Sequence, residues 1–147
     1  MANDTAVSPA IEDYLEQIHQ LIENKGYARA VEIAEKLGVA QASVSNMLQR
    51  LDQEGYVIRE RYRGVVLTDH GRKVAERIVA RHELLTRLLR AFGLDEDIIY
   101  RDVEGMEHHI SRPTLDVLTV ICEALESDPT FLSKLRRRLK RSQAERL

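Results

Sequence analysis

Between Arg29 and Gly55 the chain reads RAVEIAEKLGVAQASVSNMLQRLDQEG. Val31, Ile33, Ala34 and Leu37 recur at helical spacing and Gly38 stops them, which predicts a short helix over Arg29–Leu37. After the turn Gly38-Val39-Ala40, the apolar stripe Val44, Met47, Leu48 and Leu51 predicts a second helix from Gln41 to Glu54, ended by Gly55. Ala42, Asn46 and Gln49 fall on its opposite side. Downstream, Tyr56-Val57-Ile58-Arg59 and Val65-Val66-Leu67 are β-prone runs around the charged, glycine-containing stretch Glu60-Arg61-Tyr62-Arg63-Gly64, a hairpin pattern. Upstream, Ile11, Tyr14, Leu15, Ile18, Leu21 and Ile22 mark a helix from about Pro9 to Asn24, closed by Lys25-Gly26-Tyr27. Helix, short helix, turn, helix, hairpin is the order of a winged helix-turn-helix, whose third helix enters a major groove while the hairpin reaches the flanking backbone.

Beyond the hairpin the pattern is helical throughout. Thr68 or Asp69 can cap a long helix from about 70 to 91, with Val74, Ile78, Leu84, Leu85, Leu88 and Leu89 apolar. Gly93 ends it. Asp95 is placed to cap a fifth helix reaching about Ile110, Pro113 opens a sixth in its first turn, and Asp128-Pro129 begins a last one. The expected fold is mainly α with a small β-hairpin wing: a winged helix-turn-helix DNA-binding domain in 1–70, then an all-helical domain in 71–147.

Composition agrees with a helix-rich globular protein. Of 147 residues, 44% are apolar, 31% charged and 5% aromatic, with no Trp. That profile excludes collagen, low-complexity chains and a β-sandwich. No apolar run approaches the roughly 20 residues of a membrane span, so no membrane partner is expected. Met1–Thr5 lacks the basic-then-apolar pattern of a secretory signal, and the single cysteine, Cys122, has no internal disulfide partner; both fit a cytoplasmic protein.

The net charge of −2 conceals a strong polarity. Residues 95–128 hold ten acidic and two basic side chains, and residues 129–147 seven basic and one acidic. The basic tail Lys134–Arg141 suggests a polyanion or an intramolecular partner. Residues 1–70 hold eleven acids and seven bases, so bulk charge does not draw the winged domain to DNA. Local placement must do so. The outward face of the third helix carries Ala42, Ser43, Ser45, Asn46, Gln49 and Arg50, able to meet base edges and phosphates. The hairpin adds Arg59, Arg61, Tyr62 and Arg63 for the phosphate backbone.

A second constellation concerns cations. Asp13 and Glu16 share a face of the first helix at i, i+3. His82 lies on the long fourth helix. On the fifth, at about 100° per residue, Glu104, Glu107 and His108 fall within one arc, and His109 points away toward the apolar side. Four carboxylates and two imidazoles without a thiolate suit manganese(II) or iron(II) rather than structural zinc or copper(I). The pool exceeds one octahedral shell, which allows two ions bridged by carboxylates. On spacing alone, the same acids could instead line solvated helix faces. Catalytic templates fail: His82-Glu83 lacks a second His four residues after the first, Glu104 and His108 are four apart rather than three, and no nucleophile elbow or phosphate-cradling glycine loop is present. The expected protein is not an enzyme and takes no small organic substrate.

Several segments together resemble the diphtheria toxin repressor family of metal-dependent transcriptional repressors, in its manganese-responsive branch. They are Glu12–Ile18, Lys25–Arg29, Tyr62–Thr68, Arg81–Leu85 and Asp102–His109. The resemblance implies a homodimer, a palindromic double-stranded operator and control of manganese uptake genes. It implies metal ligands at Asp13, Glu16, His82, Glu104, Glu107 and His108, for Mn2+ at two ions per subunit, with Cd2+, Co2+ or Fe2+ as other occupants. Iron-responsive relatives usually place Met or Cys where Asp13 stands. The competing reading is a winged-helix regulator that answers iron or a small organic ligand, with the acidic cluster no sensor.

Overall fold

The computed structural model describes residues 7–147; the expectation drawn from Met1–Thr5 lies outside them. Seven α-helices and one antiparallel hairpin follow in order: α1 Pro9–Lys25, α2 Ala30–Leu37, α3 Gln41–Gln53, β1 Val57–Glu60, β2 Gly64–Leu67, α4 Asp69–Ala91, α5 Glu96–Met106, α6 Arg112–Ser127 and α7 Pro129–Ala144. The winged helix-turn-helix predicted from the Arg29–Gly55 stretch is thus present, followed by a helical second half.

By compactness the chain divides at Val79/Ala80, within α4. In the first unit, Ser8 caps α1 by accepting from the Ile11 N–H, with Pro9 in the first turn where its missing N–H costs nothing. The α1 stripe Ile11, Leu15, Ile18 and Leu21 is buried with Ile33 of α2, Val44, Leu48 and Leu51 of α3, Val57 and Val65 of the hairpin, and Val74, Ala75 and Ile78 of α4. Glu32 accepts from the Arg29 N–H and pairs with Lys25, fixing the start of α2 against the end of α1. The hairpin pairs Val57 with Leu67, Ile58 with Val66, Arg59 with Val65 and Glu60 with Gly64. Ala28 adds a separate antiparallel bridge to β2 by exchanging both backbone hydrogen bonds with Val65, at 3.1 and 2.8 Å. The wing is therefore tied to the chain just ahead of α2 rather than left as an isolated hairpin, which would be marginal in water.

Thr68, one of the two expected caps, is the one used at α4. Its hydroxyl donates to the Gly55 carbonyl at 2.6 Å and accepts from the Gly71 N–H at 3.0 Å, joining the end of the wing to the turn after α3. In the second unit Leu85, Ile99 and Val103 form a small core, flanked by Leu89, Leu94, Ile110 and Leu118. Val117, Val120 and Ile121 on α6 remain exposed, an apolar face of the kind that marks association surfaces.

Two expectations for α5 are corrected. Asp95 stands at the N-cap position, but its side chain makes no capping hydrogen bond. The α-helix also stops at Met106, and Glu107–His109 form a single 3-10 turn. Residues in such a turn advance by about 120° rather than 100°, so His109 does not point to an apolar side: it is exposed.

Candidate functional site

The α3 side chains singled out for DNA reading lie on one open surface. Ala42, Ser43, Ser45, Asn46, Gln49 and Arg50 are all exposed, while Val44, Leu48 and Leu51 are buried beneath them. Apolar burial thus orients the helix, and the polar residues between are left for recognition. Arg50 is not a free cation, since its Nε lies 2.8 Å from Glu54 Oε1 one turn on. On the wing, Arg61, Tyr62 and Arg63 form the turn and are exposed, Tyr62 at 84%. The Arg61 guanidinium lies 5.9 Å from the Tyr62 ring centroid. Arg59 is exposed on β1 opposite Val65, in the strand rather than at the tip.

In the second unit, α4, α5 and the 3-10 turn bring three expected ligands together. His82 Nδ1 lies 2.8 Å from Glu107 Oε2 and 3.9 Å from Glu104 Oε1. His108 Nε2 is 3.6 Å from Glu107 Oε1. One donor atom each from His82, Glu104 and Glu107 lies within 4.8 Å of the others. Glu107 is fully buried, at 0% exposure, and its Oε1 has no hydrogen-bond partner among the described residues. A solvated acidic face would leave this group in water, and a merely structural carboxylate would have both oxygens hydrogen-bonded. Glu107 lies four residues after the buried Val103, on the same helix face, which sets its carboxylate inward, and the 3-10 turn that follows leaves His109 outside.

Asp13 and Glu16 stand on α1. Glu16 is buried, at 6% exposure, and Asp13 is half-buried. Sequence reasoning passed over Glu12, which is also buried, at 8%. Its i, i+4 relation to Glu16 was the available signal, because those two positions share a helix face more closely than Glu12 and Asp13 do. Beside them, burial pushes the Tyr14 phenol up from its ordinary pKa.

The His82–Glu104–Glu107 cluster fits a divalent cation. Two carboxylates and an imidazole converge, one carboxylate oxygen is buried and unsatisfied, and no thiolate is near, a donor set suited to manganese or iron. A winged helix-turn-helix with an open polar reading face, followed by a helical unit with such a cluster, defines a metal-dependent transcriptional regulator. The comparisons agree. Residues 6–65 match the model described as "Iron dependent repressor, N-terminal DNA binding domain", and residues 68–135 the one described as "Iron dependent repressor, metal binding and dimerisation domain". The chain belongs to this iron-dependent, or diphtheria toxin, repressor family.

Among its relatives, the HTH-type transcriptional regulator MntR of Bacillus subtilis (strain 168) is 51% identical over 82% of this chain and 85% of its own length. MntR of Geobacillus kaustophilus (strain HTA426) is 48% identical over 92% of this chain and 96% of its own. The crystal structure of the metal-dependent transcriptional regulator MtsR matches with a TM-score of 0.73 at 25% identity, over 80% of this chain and 55% of MtsR. The manganese regulator SloR matches with a TM-score of 0.68 at 29% identity, over 80% of this chain and 55% of SloR. The chain spans about half the length of those two solved proteins.

Proposed function

We propose that this protein is a manganese-responsive repressor that binds a palindromic operator as a metal-loaded homodimer and controls manganese uptake genes in the cytoplasm. The buried, half-satisfied Glu107 carboxylate beside His82 and Glu104 carries this reading. The manganese-named relatives support it, as does aspartate at position 13, an oxygen donor where iron-responsive relatives usually carry sulfur. The ligands we assign are Asp13, Glu16, His82, Glu104, Glu107 and His108, for two Mn2+ per subunit. We assign DNA reading to residues 1–70 and metal binding with dimerisation to residues 71–147.

In this reading, Ser43, Ser45, Asn46 and Gln49 meet base edges, and Arg59, Arg61, Tyr62 and Arg63 hold phosphates. Glu107 is buried away from water, and His82 holds one of its oxygens in place. A bound divalent cation would supply the positive charge that this carboxylate set lacks and so favour the DNA-binding conformation. The exposed apolar face of α6 supplies surface for a second copy.

The test is a selection of duplexes from a random pool by the purified chain, with and without manganese. Two-fold symmetric sites should be enriched only with the metal, and their affinity should rise at least tenfold on adding it. By reciprocity, the selected duplex should tighten manganese binding by the same factor. Equal enrichment and affinity in the two conditions would remove the effector role.

A further inference from the structure

Helix α7 carries Lys134, Arg137, Arg138 and Arg141 on one stripe. At about 100° per residue they fall within an arc of roughly 100°, over about 10 Å of helix. All four are exposed, and among the described residues none has a carboxylate within 4.0 Å. Elsewhere in the second unit, Arg87 pairs with Glu126, Arg90 with Glu96 and Arg101 with Asp102. The opposite side of α7 carries Leu132, Leu135 and Leu139, half-buried, and the helix packs on α6.

We infer that this stripe is a second nucleic-acid contact, binding the phosphate backbone of duplex DNA without regard to sequence. Four unpaired cations along about 10 Å match the charge density of a polyanion, since duplex DNA presents one phosphate per roughly 1.7 Å of axis. The winged domain cannot supply that attraction in bulk: residues 1–70 hold eleven acids against seven bases, and residues 129–147 hold seven bases against one acid. A membrane surface is disfavoured because an interfacial helix needs a free apolar face. Here the leucines are half-buried, and of α7's large apolar side chains only Phe131 is exposed.

The experiment compares the full-length chain with a Lys134→Gln, Arg137→Gln, Arg138→Gln, Arg141→Gln variant. Affinity for a mixed-sequence duplex without two-fold symmetry is read by fluorescence anisotropy, in EDTA, between about 50 and 200 mM salt. The variant should bind at least tenfold more weakly at the low-salt end, and its slope of log affinity against log salt should shrink by about 3.6. Thermal unfolding and sedimentation should be unchanged. A charge-keeping variant, Arg137→Lys, Arg138→Lys, Arg141→Lys, should retain the wild-type affinity and slope. Unchanged affinity and slope in the glutamine variant would overturn the inference. So would tighter binding of the wild type to equimolar phosphatidylcholine–phosphatidylglycerol vesicles than to the duplex. A shift of the glutamine variant toward monomer would also overturn it, since the stripe would then be answering acidic residues of a second copy.

Discussion

His82 Nδ1 lies 2.8 Å from Glu107 Oε2, and the other oxygen of that fully buried carboxylate has no hydrogen-bond partner among the described residues. One imidazole at hydrogen-bond distance, with that of His108 3.6 Å from the other oxygen, is thin compensation for a buried carboxylate, whose desolvation costs several kcal/mol. The cluster therefore gives up stability to keep a carboxylate ready for a cation. Glu107→Gln preserves shape while removing the charge. It should leave the metal-free melting temperature unchanged or raised, and weaken manganese binding at least tenfold, about 1.4 kcal/mol or more. Scanning calorimetry and manganese titration calorimetry check the two halves of that expectation. A lower metal-free melting temperature with an unaltered manganese isotherm would make Glu107 a structural residue.

Two glycines on helices should respond to alanine with opposite sign. A Cβ at Gly71, in the first turn of α4, would sit 1.9 Å from the Tyr56 carbonyl oxygen. That contact is backbone, so α4 or the start of the wing must move, and Gly71→Ala should cost about 2–3 kcal/mol. A Cβ at Gly105 in α5 meets nothing within 4 Å. Gly105→Ala should stabilise by about 0.5–1 kcal/mol through the lower entropy of the unfolded chain. Urea unfolding of both variants measures this, and equal signs would contradict the close approach at Gly71.

The contrast between these glycines marks where sequence reasoning runs out. Helical periodicity located α1, α2, α3 and α4 because each buries a stripe whose spacing is written in its own residues, whereas α6 was placed from Pro113 alone. The Ala28–Val65 bridge and the Tyr56 carbonyl over Gly71 join distant segments through the backbone, where side-chain type carries no signal. The metal cluster was half legible. Spacing selected Glu104, Glu107 and His108, but it assumed α geometry through a segment that tightens to a 3-10 turn at Glu107. Burial was not legible at all: an acid facing solvent and an acid buried beside a histidine have the same pattern along one helix.

Cys122 should be unreactive in the folded chain. It is 1% exposed, and burial, reinforced by the Glu126 carboxylate 3.2 Å from its sulfur, pushes its thiol up from the ordinary value. Alkylation by iodoacetamide needs the thiolate and access to it. Labelling should therefore be at least tenfold slower in buffer than in urea above the unfolding midpoint. Burial is the larger cause, so Glu126→Gln should leave the native rate within about twofold of wild type. A native rate equal to the unfolded one, followed by mass spectrometry, would show that α6 opens readily around this position.

The reading face and the wing should separate by how their loss depends on salt and on sequence. Arg61 and Arg63 are exposed, and neither has an acid within 4.0 Å among the described residues, whereas Arg50 is tied to Glu54 at 2.8 Å. Each phosphate contact removed should reduce the salt slope by about 0.9. The double variant Arg61→Gln, Arg63→Gln should thus flatten the slope by about two and weaken all duplexes alike. Arg50→Gln should change the slope by less, because Glu54 already offsets its charge. Asn46→Ala and Gln49→Ala present no charge, so the slope should stay constant. They should instead cost about 1–3 kcal/mol on the selected operator alone, relaxing its sequence preference. A uniform loss from the α3 variants would place α3 against phosphates rather than base edges, and it would reassign reading to the wing.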